Sequence, residues 1–235
     1  MITICTMAYN ESVMMQFMIS HYRIRFPNCR IIVFDNQSTD NTKQIALDNS
    51  CEVVDFNTNN QVNDFKIREL KNNFWKVATT DWVCVCDPDE LVDINEADLI
   101  NESIKNTTII KPEGYQMVNM EDNFDLKSMK WGARATQYDK LYIFNKKMIK
   151  EINYSCGCHS ANPSGIIKYN DTLYKMYHYK CINHNYMISR YRLTAGRLSE
   201  ENKRNKMGDY VLNPDYKIIK DFEDIKRSST KILEG

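Results

Sequence analysis

Glycine is scarce in this chain, and its distribution excludes some common folds. Only seven glycines occur among 235 residues, and the first of them is Gly114. The N-terminal half therefore lacks a glycine-rich phosphate loop, which needs glycine for positive φ angles and close backbone approach. This absence excludes a P-loop NTPase and a typical dinucleotide-binding domain in that half. Any phosphate bound there must be held by other groups.

Long apolar runs and an excess of charge are also missing. No apolar run reaches the roughly 18 residues of a transmembrane helix. The first residues, Met1–Met7, lack the basic region and cleavage site of a signal peptide, so we expect a cytoplasmic protein with reduced cysteines. The 31 basic residues equal the 31 acidic ones, and no basic block dominates. This balance argues against nucleic acid as the main partner.

Apolar periodicity predicts alternating strands and helices in the N-terminal half and a less regular second half. The predicted strands are Ile2–Met7, Arg30–Phe34, Glu52–Phe56, Val83–Cys86, Gly114–Met120, Lys140–Phe144 and a final strand, Leu173–Tyr179. The predicted helices are 13–26, 41–49, 62–77, 96–105 and a helical segment from about 183 onward. Alternation of this kind is typical of βαβ units around a parallel sheet. Without a linker or repeat, we expect one domain over 1–235, made of 1–95, 96–180 and a helical segment at 181–235.

Three carboxylates directly follow the most apolar predicted strand. Asp87, Asp89 and Glu90 come immediately after Val83–Cys86, and Pro88 stiffens the turn between the two aspartates. The carboxyl ends of strands in open α/β sheets are where ligands bind. Crowded carboxylates repel one another unless a cation neutralises them, and Mg²⁺ or Mn²⁺ suits oxygen ligands. An acidic surface turn without a ligand is the alternative for these residues taken alone.

The order of three strand ends resembles a known family. The first strand runs into Met7-Ala8-Tyr9-Asn10-Glu11, the second ends in Asp35-Asn36-Gln37-Ser38-Thr39-Asp40, and the fourth ends in Asp87-Pro88-Asp89-Glu90. In this order and without a glycine-rich loop, they resemble the GT-A nucleotide-sugar glycosyltransferases, particularly family 2-like members. The resemblance implies a Rossmann-like three-layer α/β fold, with a mostly parallel central sheet and a helical C-terminal segment.

The same resemblance implies a role for each strand end. Ala8, Tyr9 and Glu11 resemble the wall of a nucleoside pocket, and Asp35 and Ser38 resemble the residues that bind the base or ribose. The alternative for Asp35 is that it begins a turn and caps a helix. The further nucleotide contacts implied are Arg68, which a solvated helix face would equally explain, and Asp87.

The resemblance also implies a metal site and an acceptor site. Asp87 and Asp89 resemble the paired aspartates that hold Mn²⁺ or Mg²⁺ in this family. His178 resembles a further metal ligand, and its alternative is a packed histidine in an aromatic run. Glu90 and His159 resemble residues on the acceptor side.

The implied reaction is transfer of a sugar, with UDP-sugar the favoured donor, to a hydroxyl of a glycan or other acceptor. An inverting reaction needs a carboxylate base, and the acidic loop after Gly114–Met120 offers Glu121, Asp122 and Asp125. Asp122 is favoured slightly, an ordinary acidic loop is the alternative, and a retaining reaction stays open. A nucleotidyltransferase and a non-catalytic nucleotide-binding module of the same fold are the rival functions.

Overall fold

Thirteen strands and seven α-helices make up the described part of this protein. The structure is a computed structural model that describes residues 1–121 and 124–234. The strands are β1 (Ile2–Ala8), β2 (Arg30–Asp35), β3 (Glu52–Asp55), β4 (Trp82–Cys86), β5 (Glu90–Asp93), β6 (Ile109–Ile110), β7 (Glu113–Val118), β8 (Trp131–Arg134), β9 (Ile143–Asn145), β10 (Ile149–Glu151), β11 (Ser164–Gly165), β12 (Lys175–Cys181) and β13 (Thr230–Lys231). The helices are α1 (Ser12–Arg25), α2 (Thr42–Asp48), α3 (Asp64–Asn73), α4 (Glu96–Ile104), α5 (His184–Ala195), α6 (Glu200–Arg204) and α7 (Asp215–Ser228).

The central sheet has six strands in the order β3-β2-β1-β4-β9-β6. Its first four strands are parallel, whereas β9 pairs antiparallel with both β4 and β6. Side chains of β1 alternate between two cores: Ile2 and Ile4 belong to the core that includes α1, and Cys5 belongs to the core on the other face. Both faces of the sheet are therefore covered, which explains why its strands are apolar runs.

A second sheet contains both the strand that follows the acidic turn, β5, and the strand that includes His178, β12. Its order is β13-β8-β7-β12-β5, with β12 antiparallel to β5 and parallel to β7. In this register His178 is opposite Glu90 on one side and Gln116 on the other. His178 is thereby brought beside the acidic turn, within reach of Asp89.

The C-terminal helices are tied to the N-terminal end of α3. Val62 and Leu198 form a parallel bridge, in which the amide of Val62 donates to the carbonyl of Arg197 at 2.6 Å. The Asn202 side chain donates to Asp64 at 3.1 Å. These contacts place the segment between α5 and α6 across the edge of the central sheet where β1, β2 and β4 end.

The structure confirms the α/β fold with its largely parallel central sheet, and it corrects several element boundaries. The predicted helix 62–77 divides into α3 and a 3-10 turn, Phe74–Val77. The strand predicted at Lys140–Phe144 is shorter and begins later, as β9. The strand predicted to be last runs over Lys175–Cys181, and β13 follows it. In the described residues, no helix has the length and apolarity needed to cross a membrane.

Candidate active site

A cavity of about 630 Å³ opens where β1, β2 and β4 end, next to the α5–α6 segment. Its size is within the range of about 300–1,000 Å³ that is usual for small-molecule sites. Several of the residues predicted from the sequence line it: Tyr9, Glu11, Asp87, Asp89, Glu90, His159 and His178. The remaining predicted residues lie beside it, away from it or outside the described residues.

Asp35 lies at the end of β2, beside the cavity lining. Its side chain is only 2% exposed, and one carboxylate oxygen accepts the amide of Ser38 at 3.1 Å. Its Oδ1 is buried and has no hydrogen-bond partner within the described residues. Buried carboxylate oxygens are rarely left unsatisfied, so this atom is suited to a donor from a ligand. The neighbouring Asn36 lines the cavity.

The loops after β1 and β2 hold each other in place. Ser38 Oγ accepts the amide of Asn10 at 3.0 Å, and the Asn10 side chain accepts the amide of Thr39 at 2.7 Å. Ala8 is buried at the end of β1. Ala8 and Ser38 therefore shape the cavity wall from behind, because neither of them lines the cavity.

Tyr9 is covered by an arginine that the sequence analysis did not predict. The guanidinium carbon of Arg197 lies 3.1 Å from the centre of the Tyr9 ring, and both residues line the cavity. Arg197 is 9% exposed, and its Nη2 has no hydrogen-bond partner in the described part of the chain. A buried guanidinium nitrogen without a partner among the described residues is thus available at the cavity, stacked on the Tyr9 ring. No sequence spacing indicates Arg197, because the Val62–Leu198 bridge places it there.

The basic residue of α3 at the cavity is Lys71 and not Arg68. Asp64, Ile67 and Lys71 lie on one face of α3 and line the cavity, whereas Arg68 is one position off that face and packs 5.5 Å from the Phe65 ring. The ammonium of Lys71 donates to Asp87 Oδ1 at 2.5 Å. Burial alone would lower the pKa of Lys71, but the Asp87 carboxylate together with Cys158 and Glu90 outweighs it and raises the pKa above the usual range. Asp87 is therefore held by an ammonium group.

Asp89 is paired with His178 across the two sheets. Asp89 Oδ2 lies 3.3 Å from His178 Nε2, and the Asp89 carbonyl accepts the amide of Tyr179 at 2.8 Å. Burial alone would raise the pKa of Asp89, but His178 and the nearby cations outweigh it and hold that pKa well below its usual range. Asp89 is accordingly a carboxylate whose charge faces the cavity.

Glu90 forms a buried ion pair with Lys140. The ammonium of Lys140 donates to Glu90 Oε1 at 2.5 Å, and the two side chains are only 5% and 4% exposed. The Lys140 ammonium also lies 5.5 Å from the Tyr138 ring centre and 5.8 Å from that of Tyr142. The position of Glu90 is therefore fixed on the cavity wall, and Lys140 is a second residue that the sequence analysis missed.

Two more cations line the cavity near Asp89. Arg190 on α5 pairs with Glu11 and donates to the carbonyl of Asn10 at 2.5 Å. Lys180 lies between two tyrosine rings, 4.3 Å from the centre of Tyr191 and 4.6 Å from that of Tyr210. Within the described residues Lys180 makes no ion pair. Its charge is therefore available to an anionic ligand.

The cavity is lined by both basic and acidic side chains, which together favour an anionic ligand bound with a metal cation. Lysine and arginine contribute six lining residues, Lys71, Lys140, Lys180, Arg190, Arg197 and Lys206, against five carboxylates, Glu11, Asp64, Asp87, Asp89 and Glu90. The described residues contain no group of three or more His, Cys, Asp or Glu arranged to hold a metal ion. Asp89 and His178 are nevertheless two close ligands of types that Mn²⁺ accepts. They fit an ion whose remaining ligands come from water and a bound phosphate, as is usual for Mg²⁺.

The acidic loop after β7 does not bring its described carboxylates to the cavity. Glu121 and Asp125 are exposed, neither lines the cavity, and Asp125 caps a 3-10 turn by accepting the amide of Lys127 at 2.9 Å. Asp122 lies outside the described residues. His159, by contrast, lines the cavity, and its Nδ1 lies 2.9 Å from the carbonyl oxygen of Gln137.

S. aureus TarS and a synthase from Mycobacterium tuberculosis are among the solved structures to which this chain is similar. No curated protein matches the chain. S. aureus TarS is 16% identical, with 90% of this chain and 42% of that chain covered and a TM-score of 0.47. TarS 1-349 in complex with UDP is also 16% identical, with 92% and 72% covered and a TM-score of 0.46. Glucosyl-3-phosphoglycerate synthase from Mycobacterium tuberculosis, with Mn²⁺ and UDP, is 16% identical over 49% of this chain and 43% of that chain, with a TM-score of 0.35. This chain spans less than half the length of the first of these TarS chains.

A family model gives the decisive match. The model of glycosyl transferase family 2 matches residues 3–161, which is more than half of the chain and includes the three strand ends and the acidic turn. The matched region also contains Lys71, Lys140 and His159. The chain therefore belongs to glycosyl transferase family 2.

Proposed function

We propose that this protein transfers a sugar from a UDP-sugar to a hydroxyl group of a glycan or other acceptor, with inversion at the anomeric carbon and with Mn²⁺ or Mg²⁺ as cofactor. The observation that carries the proposal is the pairing of Asp89 with His178 at the mouth of a cavity that also contains the unpaired cation Lys180. We also propose that residues 1–235 act as one catalytic unit, because the α5–α6 segment lines the same cavity as the ends of β1, β2 and β4.

The nucleoside end of the donor is proposed to lie near Tyr9 and Asp35. The unsatisfied Oδ1 of Asp35 can accept an N–H or O–H from the base or ribose, and Ser38 holds the carboxylate in place through its amide. Tyr9 offers a ring face once Arg197 moves aside, or Arg197 contacts the base from its present position. Ala8 and Glu11 complete this wall, and UDP is favoured because GT-A enzymes resembling this chain often use it.

The diphosphate is proposed to lie between the acidic turn and the cations of α5 and β12. Asp89 and His178 would hold the metal ion, with Asp87 adjacent and oriented by Lys71. When bound, the ion supplies Lewis-acid neutralisation of the leaving diphosphate. Lys180 and Arg190 add fixed positive charge at the same place, which stabilises the negative charge that develops as the glycosidic bond breaks. Arg68 remains a proposed contact from the outer face of α3.

The acceptor is proposed to enter between Glu90 and His159, both of which line the cavity. Inversion needs a carboxylate that removes the acceptor proton, and we propose the loop of Glu121, Asp122 and Asp125 as its source, with Asp122 first. The loop begins beside β12, where the amide of Asn119 donates to the carbonyl of Cys181 at 3.1 Å. It ends at Phe124, whose ring contacts that of Tyr186, a residue of the smaller cavity next to Asp89. An Asp122→Asn variant that keeps donor binding but loses transfer would support this assignment.

Thermal unfolding with a panel of nucleotides tests the proposal. The wild type, Asp89→Asn and the surface control Asp48→Asn are heated with UDP, GDP, UTP or UDP-sugars, each with and without Mn²⁺. A ligand at one hundred times its Kd stabilises the native state by about 2.7 kcal/mol. For a chain of this length that is a rise in Tm of about 5–10 °C. We expect the rise for UDP with Mn²⁺ in the wild type and Asp48→Asn, and its loss in Asp89→Asn.

The pattern across the panel separates the rival functions. A preference for UTP over UDP would favour a nucleotidyltransferase. Binding of UDP-sugar without release of UDP, with or without candidate acceptors, would favour a non-catalytic module. No rise in Tm with any nucleotide in the presence of Mn²⁺ would overturn the proposed donor site.

A further inference from the structure

We infer that Gln116 is a positioning residue that fixes the ring tautomer of His178, so that Nε2 is free to bind a divalent cation. This inference rests on the proposed function, because it deepens the account of the metal site formed by Asp89 and His178. Gln116 was not a candidate from the sequence, does not line the cavity and has no contact with Asp89. Its effect on the metal site would pass through His178, whose imidazole and backbone carbonyl it both contacts.

The hydrogen bonds of Gln116 determine which way its amide faces. Its Nε2 donates to the carbonyl of His178 at 3.0 Å and to the carbonyl of Met117 at 3.2 Å. A carbonyl oxygen only accepts, so the NH₂ group must be on that side of the amide. Oε1 is therefore the atom that lies 2.6 Å from His178 Nδ1.

The amide in turn determines the tautomer of His178. Because Oε1 is an acceptor, Nδ1 must carry a proton to make this short contact. In the neutral imidazole the other nitrogen, Nε2, then carries a lone pair. That lone pair faces Asp89 Oδ2 at 3.3 Å, so two acceptors meet at the cavity wall. Two facing acceptors need a cation or a proton between them, and a divalent ion satisfies both.

Packing restrains the ring in this orientation. Gln116 is only 8% exposed and His178 only 5% exposed. The Tyr138 ring lies against the imidazole at 4.1 Å between ring centres, with a tilt of 31°. The parallel register of β7 and β12 sets Gln116 beside His178, so the backbone brings the two side chains together. Metal-bound histidines usually donate their second nitrogen to such a partner, and loss of the partner typically weakens metal binding by about 10–100-fold.

Nitrogen NMR of the histidine rings tests the inference directly. The chain has only four histidines, so the ring signals of ¹⁵N-labelled, metal-free protein can be assigned with single His variants. We expect Nδ1 of His178 in the wild type to carry a proton, because Gln116 Oε1 accepts it. In Gln116→Met we expect the proton to move at least in part to Nε2. Gln16→Met, an exposed position on α1, should leave the His178 signals unchanged.

Manganese titration followed by electron paramagnetic resonance, with UDP present, gives the second readout. We expect Gln116→Met to weaken Mn²⁺ binding about 10–100-fold, while Gln16→Met binds as the wild type does. Unchanged Mn²⁺ binding in Gln116→Met would overturn the inference. So would an Nε2–H tautomer in the wild type, a measurement that still decides the question if Gln116→Met does not fold. Failure of the wild type to bind Mn²⁺ with any nucleotide would instead count against the proposed function, so the two failures are distinguishable.

Discussion

Replacement of Lys140 by methionine should destabilise the protein strongly, because it leaves the Glu90 carboxylate without its buried partner. The two charged groups are 2.5 Å apart and almost completely buried. At that distance, with an effective dielectric constant of about 20, their attraction is about 7 kcal/mol, and desolvation of both groups offsets much of it. Removal of one partner from such a pair typically costs about 3–5 kcal/mol. We expect Lys140→Met to lose about that amount, since methionine keeps an unbranched apolar side chain in place of the lysine stem but has no charge.

A double variant separates the lost charge pairing from lost packing. In Glu90→Gln/Lys140→Met no charge remains buried, so we expect it to be more stable than Lys140→Met alone by about 2 kcal/mol or more. Lys147→Met is the matched control, because Lys147 pairs with Asp81 at the surface, where the side chains are 66% and 52% exposed. It should cost less than about 1 kcal/mol.

Urea unfolding at neutral pH measures all of these changes. The reasoning is refuted if Lys140→Met loses less than about 1 kcal/mol, the range of an exposed pair. It is refuted equally if the double variant is as unstable as the single one, because the loss would then come from packing. The slope of unfolding free energy against urea should be the same in all variants, because a changed slope would show that Lys140→Met alters the compactness of the native or the denatured state.

Three further predictions concern pH, packing and metal. Burial and the charge of Arg25 lower the pKa of His21 to about 4. As the pH falls, the unfolded chain therefore binds a proton at this histidine before the folded protein does, and the free energy of unfolding should fall by up to about 3 kcal/mol between about pH 6.5 and pH 4. Urea unfolding across that range should show a smaller fall for His21→Gln. Gly114→Ala should destabilise by about 1–3 kcal/mol, because the new Cβ would lie 2.4 Å from Tyr138 Cβ and 2.7 Å from its backbone carbon; Gly196→Ala, whose nearest atom would be 3.5 Å away, is the control and should lose nothing. Treatment with a chelator should abolish sugar transfer and Mn²⁺ should restore it, whereas transfer that persists after exhaustive chelation would show that Lys71, Lys180 and Arg190 suffice without a metal.

The position of the acidic turn could be predicted from the sequence because its signal is local. Apolar residues over Val83–Cys86 predict a buried strand, and the carboxyl end of a buried parallel strand lies at an edge where ligands bind. The alternation of strands and helices likewise predicts the order of the N-terminal half. The family resemblance of three strand ends adds Asp35 and Tyr9, and the structure brings both to the same region as Asp87.

The partners of these residues could not be predicted, because they come from distant parts of the chain. Lys140 reaches Glu90 through the loop before β9, and Arg197 reaches Tyr9 through a bridge between Val62 and Leu198. Such contacts depend on strand register and packing, which one-dimensional spacing does not contain. The orientation of single helix positions was equally hard to predict. On α3, Ile67 and Lys71 line the cavity, whereas Arg68 packs against the ring of Phe65.

Three features follow from residues close together in the chain and could be predicted without the structure: the fold class, the acidic turn and the absence of a glycine-rich phosphate loop. Packing between distant parts of the chain decides which group each carboxylate faces: Asp87 faces the ammonium of Lys71, Asp89 faces the imidazole of His178, and Glu90 faces the ammonium of Lys140. The register of β5, β7 and β12 also placed Gln116 behind His178. These pairings set the charge and the orientation of the cavity groups, and they arise from packing between two sheets that no local pattern specifies.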